Sequence, residues 1–257
     1  MAPETKTCQN CKQSFQIETA DFAFYERMAV PPPTWCPECR LARRLIWRNE
    51  RGLYKRKCDS CQADKIFVYP ESSPYKVYCR ECWWSDKWEG TTAGRDVDFS
   101  RPFFAQIAEL MKDVPRTGII KQGNNINSEY TNRVTDLRNC YLVFATYLGE
   151  DSMYSTWINE SKNTFDSHAT IKSEQCYECI DCSQCSKLFF SRECTACVNS
   201  WFLFNCRNVT DSFACTNLRN KKNCIFNEQY SKEEYDAKIA EFQRGGYTKF
   251  LELEKQF

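Results

Sequence analysis

Four Cys-x-x-Cys pairs fall early in the chain, at Cys8/Cys11, Cys36/Cys39, Cys58/Cys61 and Cys79/Cys82. Two residues between thiols let a tight turn present both sulfurs to one tetrahedral ion, so these eight cysteines predict two zinc ions. Reduced core cysteines have no reason to repeat that spacing four times. A redox dithiol fits less well, because no strand–helix–strand pattern surrounds any pair. Spacing alone leaves the partnership open. Sequential pairing makes one site of Cys8, Cys11, Cys36 and Cys39 and another of Cys58, Cys61, Cys79 and Cys82. Interleaved pairing joins the first pair to the third and the second to the fourth.

The stretch CQNCKQSFQIETADFAFYERMAVPPPTWCPECRLARR, residues 8–44, resembles a small family of proposed zinc-ribbon domains. It shares their paired cysteines, a Phe-Tyr midway, a proline step, then Cys-Pro-x-Cys-Arg and basic residues. One such segment binds one zinc in that family, which implies sequential pairing here. The layout of the full chain resembles uncharacterised bacterial proteins in which such a domain precedes a Cys/Asn-rich repeat region. Some of those carry a coenzyme A transferase label, for which no residue in this chain speaks. The resemblance implies no activity.

The elements that position these groups begin just past the second pair. Residues 40–57 hold Arg40, Arg43, Arg44, Arg48, Arg51, Lys55, Arg56 and Lys57 against a single acid, Glu50. Leu41, Leu45, Ile46 and Trp47 recur at helical spacing, which leaves the arginines on other faces. Arginine forks match phosphate geometry, so the segment predicts an interface for RNA or DNA, the ribosome included. The alternative is a solvated helix whose arginines pair with carboxylates or with the thiolate charge. Trp35, Trp47, Trp83, Trp84 and Trp88 also lie in this region. They could stack unpaired bases, though small zinc modules need aromatics to build any core. Adjacent Trp83 and Trp84 would face opposite ways on an extended chain, one inward and one exposed.

Bulk properties bound the rest. With 257 residues there is room for two modest domains, and the formal net charge is +1. Two four-thiolate zinc sites, each −2, would shift that to +1 − 4 = −3. Charge on the whole molecule therefore says nothing about nucleic acid; only local patches can. The polar opening MAPETKTCQN and the lack of a long apolar run predict a cytoplasmic protein with no membrane segment. In that compartment, 18 cysteines serve metal and packing rather than disulfides. No phosphate-binding glycine loop, dinucleotide fingerprint or His-Glu-x-x-His is present. The single histidine, His168, stands beside Asp166 and Ser167, but adjacency in sequence is not how a hydrolase triad is built. It is expected to be an outward turn residue, and the protein to be no enzyme.

The second half holds a hidden period. All ten later cysteines (140, 176, 179, 182, 185, 194, 197, 206, 215, 224) share one frame of three. Every third residue from Cys140 to Leu218 reads CVTGSSISTSTSCCCCLSCCSLCVSCL, all small or aliphatic, in a chain that is 27% charged. Every twelfth residue from Tyr141 reads Tyr141, Met153, Phe165, Tyr177, Phe189, Trp201, Phe213, Ile225. Two residues before each stand Asn139, Asp151, Asn163, Gln175, Lys187, Asn199, Asp211 and Asn223. A fixed twelve-residue period means a solenoid, and low helix propensity with Asn-rich turns makes it a β-solenoid. The small frame would fill its narrow interior, as in twelve-residue insect antifreeze solenoids, whose Thr-x-Thr ladder is absent here. Cysteine in that frame packs as a small hydrophobe, although Cys176, Cys179, Cys182 and Cys185 are spaced so that a metal site is conceivable. Facing inward, the aromatic column would belong to a wider core, which is the expectation. Facing outward, it would form a patch ~35 Å long, too large to stay uncovered in a monomer.

Two helices flank the repeat, the first expected to cap the repeat region that follows it and the second to cover its far end. In FSRPFFAQIAELMKDVPR, Ser100 can cap, Pro102 suits the first turn, Phe103, Phe104, Ile107, Leu110 and Met111 share a face, and Pro115 ends it. In SKEEYDAKIAEFQRGG, Ser231 and Glu234 form a capping box, Tyr235, Ile239 and Phe242 make one face, and Gly245 stops it. The expected fold is mainly β. Tandem zinc ribbons or knuckles occupy 1–98, a linker helix and loop 99–136, a parallel β-solenoid of twelve-residue repeats 137–230, and a capping helix with tail 231–257. The expected function is zinc-dependent, non-catalytic binding of nucleic acid or the ribosome through 40–57. The alternative is a zinc-stabilised scaffold with a protein partner on the solenoid.

Overall fold

Tight turns at the first cysteine pair and a capped helix at the second build the beginning of the chain. Strands β1 (Glu4–Thr7) and β2 (Ser14–Ile17) pair antiparallel around the Cys8–Cys11 turn. Helix α1 (Thr19–Arg27) follows, its N-terminus closed by a reciprocal Glu18/Asp21 capping box. Helix α2 (Pro37–Leu45) starts at Cys36, with Pro37 in its first turn. The computed structural model describes residues 2–46, 51–244, 251, 252 and 255. It falls into two compact units, residues 1–49 and residues 50–257. The boundary cuts the 1–98 module predicted from sequence. Only Cys8, Ile17, Phe22 and Cys36 are buried apolar residues among those described in the first unit.

The second unit opens with the same design. Strands β3 (Tyr54–Lys57) and β4 (Asp64–Phe67) form a hairpin around Cys58–Cys61. Strand β5 (Val77–Tyr78) leads into the short helix α3 (Arg80–Trp83), with Cys79 at its N-cap position. This subdomain is joined to the repeat region by backbone pairing. Val77 and Tyr78 pair in parallel with β6 (Arg116–Thr117), and the Val68 N–H donates to the Gly118 carbonyl at 2.8 Å. Gly118 is required there, since a Cβ would lie 1.8 Å from a ring carbon of buried Phe67.

Helix α4 (Phe103–Asp113) forms where the sequence placed it. Its N-cap is Pro102 without a side-chain cap bond, and Ser100 instead donates to Asp98. The helix buries none of its residues, and Phe103 and Phe104 are exposed. It therefore does not cap the repeat as expected.

From Ile126, ahead of the sequence-read start at 137, residues bridge in parallel to partners twelve positions on. Strands β7 (Lys121–Gln122) and β8 (Thr131–Thr135) begin the stack, and β9 (Val143–Tyr147), β10 (His168–Ile171), β11 (Ile180–Ser183), β12 (Ser186–Phe189), β13 (Val198–Phe204), β14 (Arg207–Thr216) and β15 (Arg219–Ile225) continue it. Every third residue from Arg133 to Phe226 has φ between 47° and 60°. Each twelve-residue coil is thus a four-sided ring with three residues per side and a left-handed corner on each. Asn and Asp suit those corners because they tolerate that conformation. Their side chains also bond along the stack, Asn139 to Asp151 at 2.8 Å and Asn205 to Asn217 at 2.7 Å.

One residue of each three points inward, and that is the small frame read from sequence. Two backbone N–H groups of each triplet bond to neighbouring coils, as Tyr141 does to the Ser152 carbonyl and Tyr154 to the Tyr141 carbonyl. The third belongs to the inward residue, and in several coils an inward serine or threonine hydroxyl one coil back accepts it. Thr164 N–H donates to Ser152 Oγ at 3.1 Å, and Cys224 N–H to Ser212 Oγ at 3.2 Å. Interior serines are therefore structural acceptors rather than mere small residues.

The aromatic column faces outward, contrary to the inward expectation. Tyr141, Met153 and Tyr177 are exposed, while Phe213 and Ile225 are buried. Those last two lie beneath helix α5 (Lys232–Arg244), with Phe202 and Ala214, packed against its Tyr235. The Ser231/Glu234 capping box forms, whereas the predicted stop at Gly245 lies outside the described residues. The chain reverses in β16 (Glu228–Gln229), which pairs antiparallel with β15 at the end of the ladder. No described helix is long and apolar enough to cross a membrane.

The left-handed corners give a direct test. Asn199, at φ 49°, bonds to Asp211 in the next coil. Both Asn199→Gly and Asn199→Val remove that bond, but only the β-branched residue resists the corner. The valine variant is expected to be less stable than the glycine variant by about 1–2 kcal/mol in urea unfolding.

Candidate metal centres and the basic helix

Each centre joins a hairpin turn to a helix N-terminus. In the first unit, Lys12 at φ 64° lets its N–H reach the Cys8 carbonyl, which curls the turn so that Cys8 and Cys11 converge. Gln62 at φ 60° does the same for Cys58 and Cys61. The facing pair comes from the first turn of α2 or α3, where exposed N–H groups and the helix dipole favour thiolate. The result is sequential pairing. The sulfurs of Cys8, Cys11, Cys36 and Cys39 lie within 4.8 Å of one another, as do those of Cys58, Cys61, Cys79 and Cys82. No other metal-competent group of three or more occurs among the described residues.

The surroundings fit a cation bound by thiolates. Backbone N–H groups donate to sulfur from Cys36 to Cys8 (3.2 Å), Cys39 to Cys36 (3.4 Å) and Cys79 to Cys58 (3.2 Å). Asn10 adds a side-chain donor to Cys39 at 3.3 Å. Burial opposes ionisation of Cys8, but the N–H groups of Cys36, Cys11 and Asn10 outweigh it and bring the thiol to about 6. At Cys58 the same contest, with N–H groups of Cys61 and Cys79, ends at about 7. The facing thiols are opposed. The Cys39 N–H lowers Cys36, yet burial and the neighbouring thiols carry it up to about 12. Burial and contact with Glu81 and Cys82 push Cys79 up as well. Ionisation at Cys8 or Cys58 is thus favoured while the buried Cys36 or Cys79 facing it is opposed, and a divalent ion at the centre would remove that conflict.

The basic residues divide between the units. Arg40, Arg43 and Arg44 lie on α2, directly after the second thiol pair. Leu41, Leu45 and Ile46 are exposed, so the predicted stripe is not core. Arg43 sits over the Trp35 ring at 5.0 Å, and the Arg40 Nε is buried without a hydrogen bond. Among the described residues, none of these three arginines forms a salt bridge. Arg48 and Trp47 lie outside the described residues. In the second unit, Arg51, Lys55 and Lys57 are exposed. Arg56 is not available: it is buried, forked onto Asp59 at 2.9 and 3.2 Å and bonded to the Pro70 carbonyl. Asp59 also accepts the Val77 N–H at 2.6 Å, so the pair ties the hairpin to β5. Only the three-residue spacing of Arg56 and Asp59 hinted at this in sequence.

Trp83 packs on Trp88, with ring centres 4.7 Å apart, while Trp84 is 75% exposed. The adjacent tryptophans do diverge, at the end of a helix rather than on a strand. A cleft of about 480 Å³ lies between the second hairpin and the first coil. Its Lys121 and Arg80 are committed to backbone carbonyls of Ser128, Glu129, Lys121 and Gly123. His168 stacks outward on Trp157 at 5.4 Å. All ten repeat cysteines are buried. Their sulfurs donate to carbonyls two residues back, Cys194 to Arg192 at 3.2 Å and Cys182 to Ile180 at 3.4 Å. They pack as the interior serines do.

No protein-family model matches this chain, and no curated protein is significantly similar to it.

Proposed function

We propose that the chain is a zinc-binding, non-catalytic protein that engages nucleic acid, RNA or DNA and the ribosome included, through the first unit. Four sulfur donors at tetrahedral spacing suit zinc, and the resemblance of residues 8–44 to zinc-ribbon domains points the same way. Ten buried unpaired thiols beside eight candidate zinc ligands fit a reducing compartment, hence the cytoplasm. The observation that carries the nucleic-acid reading is α2. Arg40, Arg43 and Arg44 follow the ligand pair with no salt bridge among the described residues, and Arg43 is spread over an aromatic ring beside them. Guanidinium groups fixed on a short helix, next to Trp35, suit phosphates with a base alongside. Arg51, Lys55 and Lys57 supply further exposed charge in the second unit.

The test is fluorescence anisotropy of the zinc-loaded protein with single-stranded RNA across a salt series. Affinity is expected to fall with salt. Replacing Arg40, Arg43 and Arg44 by Ala should lower the slope of log affinity against log salt by about 2. No binding at low salt, or an unchanged slope, rejects this reading. The outward aromatic flank favours a second one, in which the solenoid holds a protein partner and binding tolerates salt.

A further inference from the structure

The solenoid repeats not only its coils but the seat of its own terminal helix. Helix α5 docks on Phe190, Trp201, Phe202, Phe213, Ala214 and Ile225, with Tyr235, Ile239 and Phe242 facing them. At its start, Lys232 reaches Asp211 at 3.9 Å. A shift of five coils, sixty residues back along the same columns, gives Tyr130, Tyr141, Leu142, Met153, Tyr154 and Phe165, with Asp151 in place of Asp211. This second seat is uncovered. Tyr130 is 43% exposed, Tyr141 39%, Met153 36% and Tyr154 54%.

Helix α4 carries the matching key. Tyr235, Ile239 and Phe242 in α5 have the same spacing as Phe104, Ala108 and Met111 in α4, and the basic Lys232 in the first turn of α5 has its counterpart in Arg101, just before the Pro102 N-cap of α4. Each set is one basic residue followed by an apolar i, i+4, i+7 face. No α4 residue is buried, and Phe104 is 83% exposed. Eleven helical residues span about 16 Å, three to four coils at ~4.8 Å each, which is the footprint from Tyr130 to Phe165. The charges match too. Asp151, Asp166 and Glu178 stand in the corner columns of the flank, which disfavours phosphate and suits Lys112 and Arg101, the latter by exchanging its pairing with Glu109.

We propose that α4 of a second copy of this chain docks on the Tyr130–Phe165 flank as α5 docks on the Phe190–Ile225 flank, with Arg101 meeting Asp151. A two-fold pair makes the exchange reciprocal, so every contact forms twice. Within one chain, α4 is bonded to the segment before it, by Arg95–Asp113 and by Gln106 with Asp98 and Arg101.

Sedimentation equilibrium of the full zinc-loaded chain tests this. The unaltered protein should be a dimer at micromolar concentration. Arg101→Asp and Asp151→Arg should each weaken self-association about tenfold or more. An equimolar mixture of the two variants should recover dimers, because a mixed pair restores an opposite-charge contact at both sites. Lys187 occupies the same corner column as Asp151, so a basic residue is tolerated there, and far-UV circular dichroism should be unchanged. Phe104→Asp, at an exposed position, should also give monomer. A monomeric unaltered protein, variants that dimerise normally, or a mixture that stays monomeric each overturns the proposal.

Discussion

Stripping the metal from the protein should unfold residues 2–46 while leaving the solenoid intact. The first unit has almost nothing else to hold it: its described apolar core is Cys8, Ile17, Phe22 and Cys36, two of which belong to the candidate metal centre. Structural zinc contributes about 10–16 kcal/mol in small modules, more than such a core provides. The second centre has support of its own. Phe67 and Val77 are buried there with Tyr69, Tyr75 and Tyr78 around them, and β5 pairs with β6. The ladder from Ile126 onward is held by backbone bonds between coils and needs no ion. Hydrogen exchange before and after chelation should therefore show residues 2–46 losing nearly all protection. Residues 58–82 should lose part of it, and the coils none. Metal analysis should find two zinc ions per chain beforehand. Persistent protection of residues 2–46 in the stripped protein would show that the cysteine cluster is not what folds the first unit.

The readable parts of this chain are those where one residue type is demanded at a fixed interval. Thiol pairs announce themselves because a tetrahedral ion accepts little else at that spacing. The repeat was visible because stacked coils give each inward position the same narrow space, so Cys, Ser, Thr and Val recur in one frame. The direction of the aromatic column was in fact contained in that frame. If one residue in three points inward, and that residue is Cys140, then Tyr141 cannot. The inward expectation assumed a wider core with room for both columns, and sides of three residues with one inward position each leave no such room. The left-handed corners were only half legible. Asn139, Asn163 and Asn199 suit them, but Leu142, Tyr154, Trp157 and Phe190 adopt the same φ because the ladder imposes it. Arg56 was misread for a different reason. A basic run in sequence says nothing about which of its members finds a carboxylate, and Asp59 takes this one. The linker helix showed its apolar face plainly, but a single sequence does not say whether its own chain covers that face.

A charge placed in the solenoid interior should be far more damaging than the loss of a cysteine there. Cys194 is fully buried, and its sulfur is a donor to the Arg192 carbonyl. Hydrogen bonding to Cys182, then to Cys197 and Cys206, pushes its thiol up. Burial likewise raises Cys185 to about 12 and Cys215 to about 11. Cys185, Cys194 and Cys215 therefore stay protonated and act as small donors rather than as nucleophiles or thiolate ligands, while hydrogen bonds with Cys194 hold Cys206 down to about 7 and lower Cys197. Serine already performs that task in the same frame: Ser191 donates to Phe189 and accepts from Leu203, and Ser200 donates to Val198 and accepts from Ser212. Cys194→Ser is therefore expected to cost about 1 kcal/mol or less, with the metal content unchanged. Cys194→Asp puts a carboxylate where no cation can reach it. It should cost roughly 3–5 kcal/mol, or a fall in Tm on the order of 10 °C for a unit of this size. Thermal unfolding of the two variants, with metal analysis of each, separates the possibilities. Equal damage from both substitutions, or a metal ion lost with Cys194→Ser, would mean that the interior thiols bind something and do not merely pack.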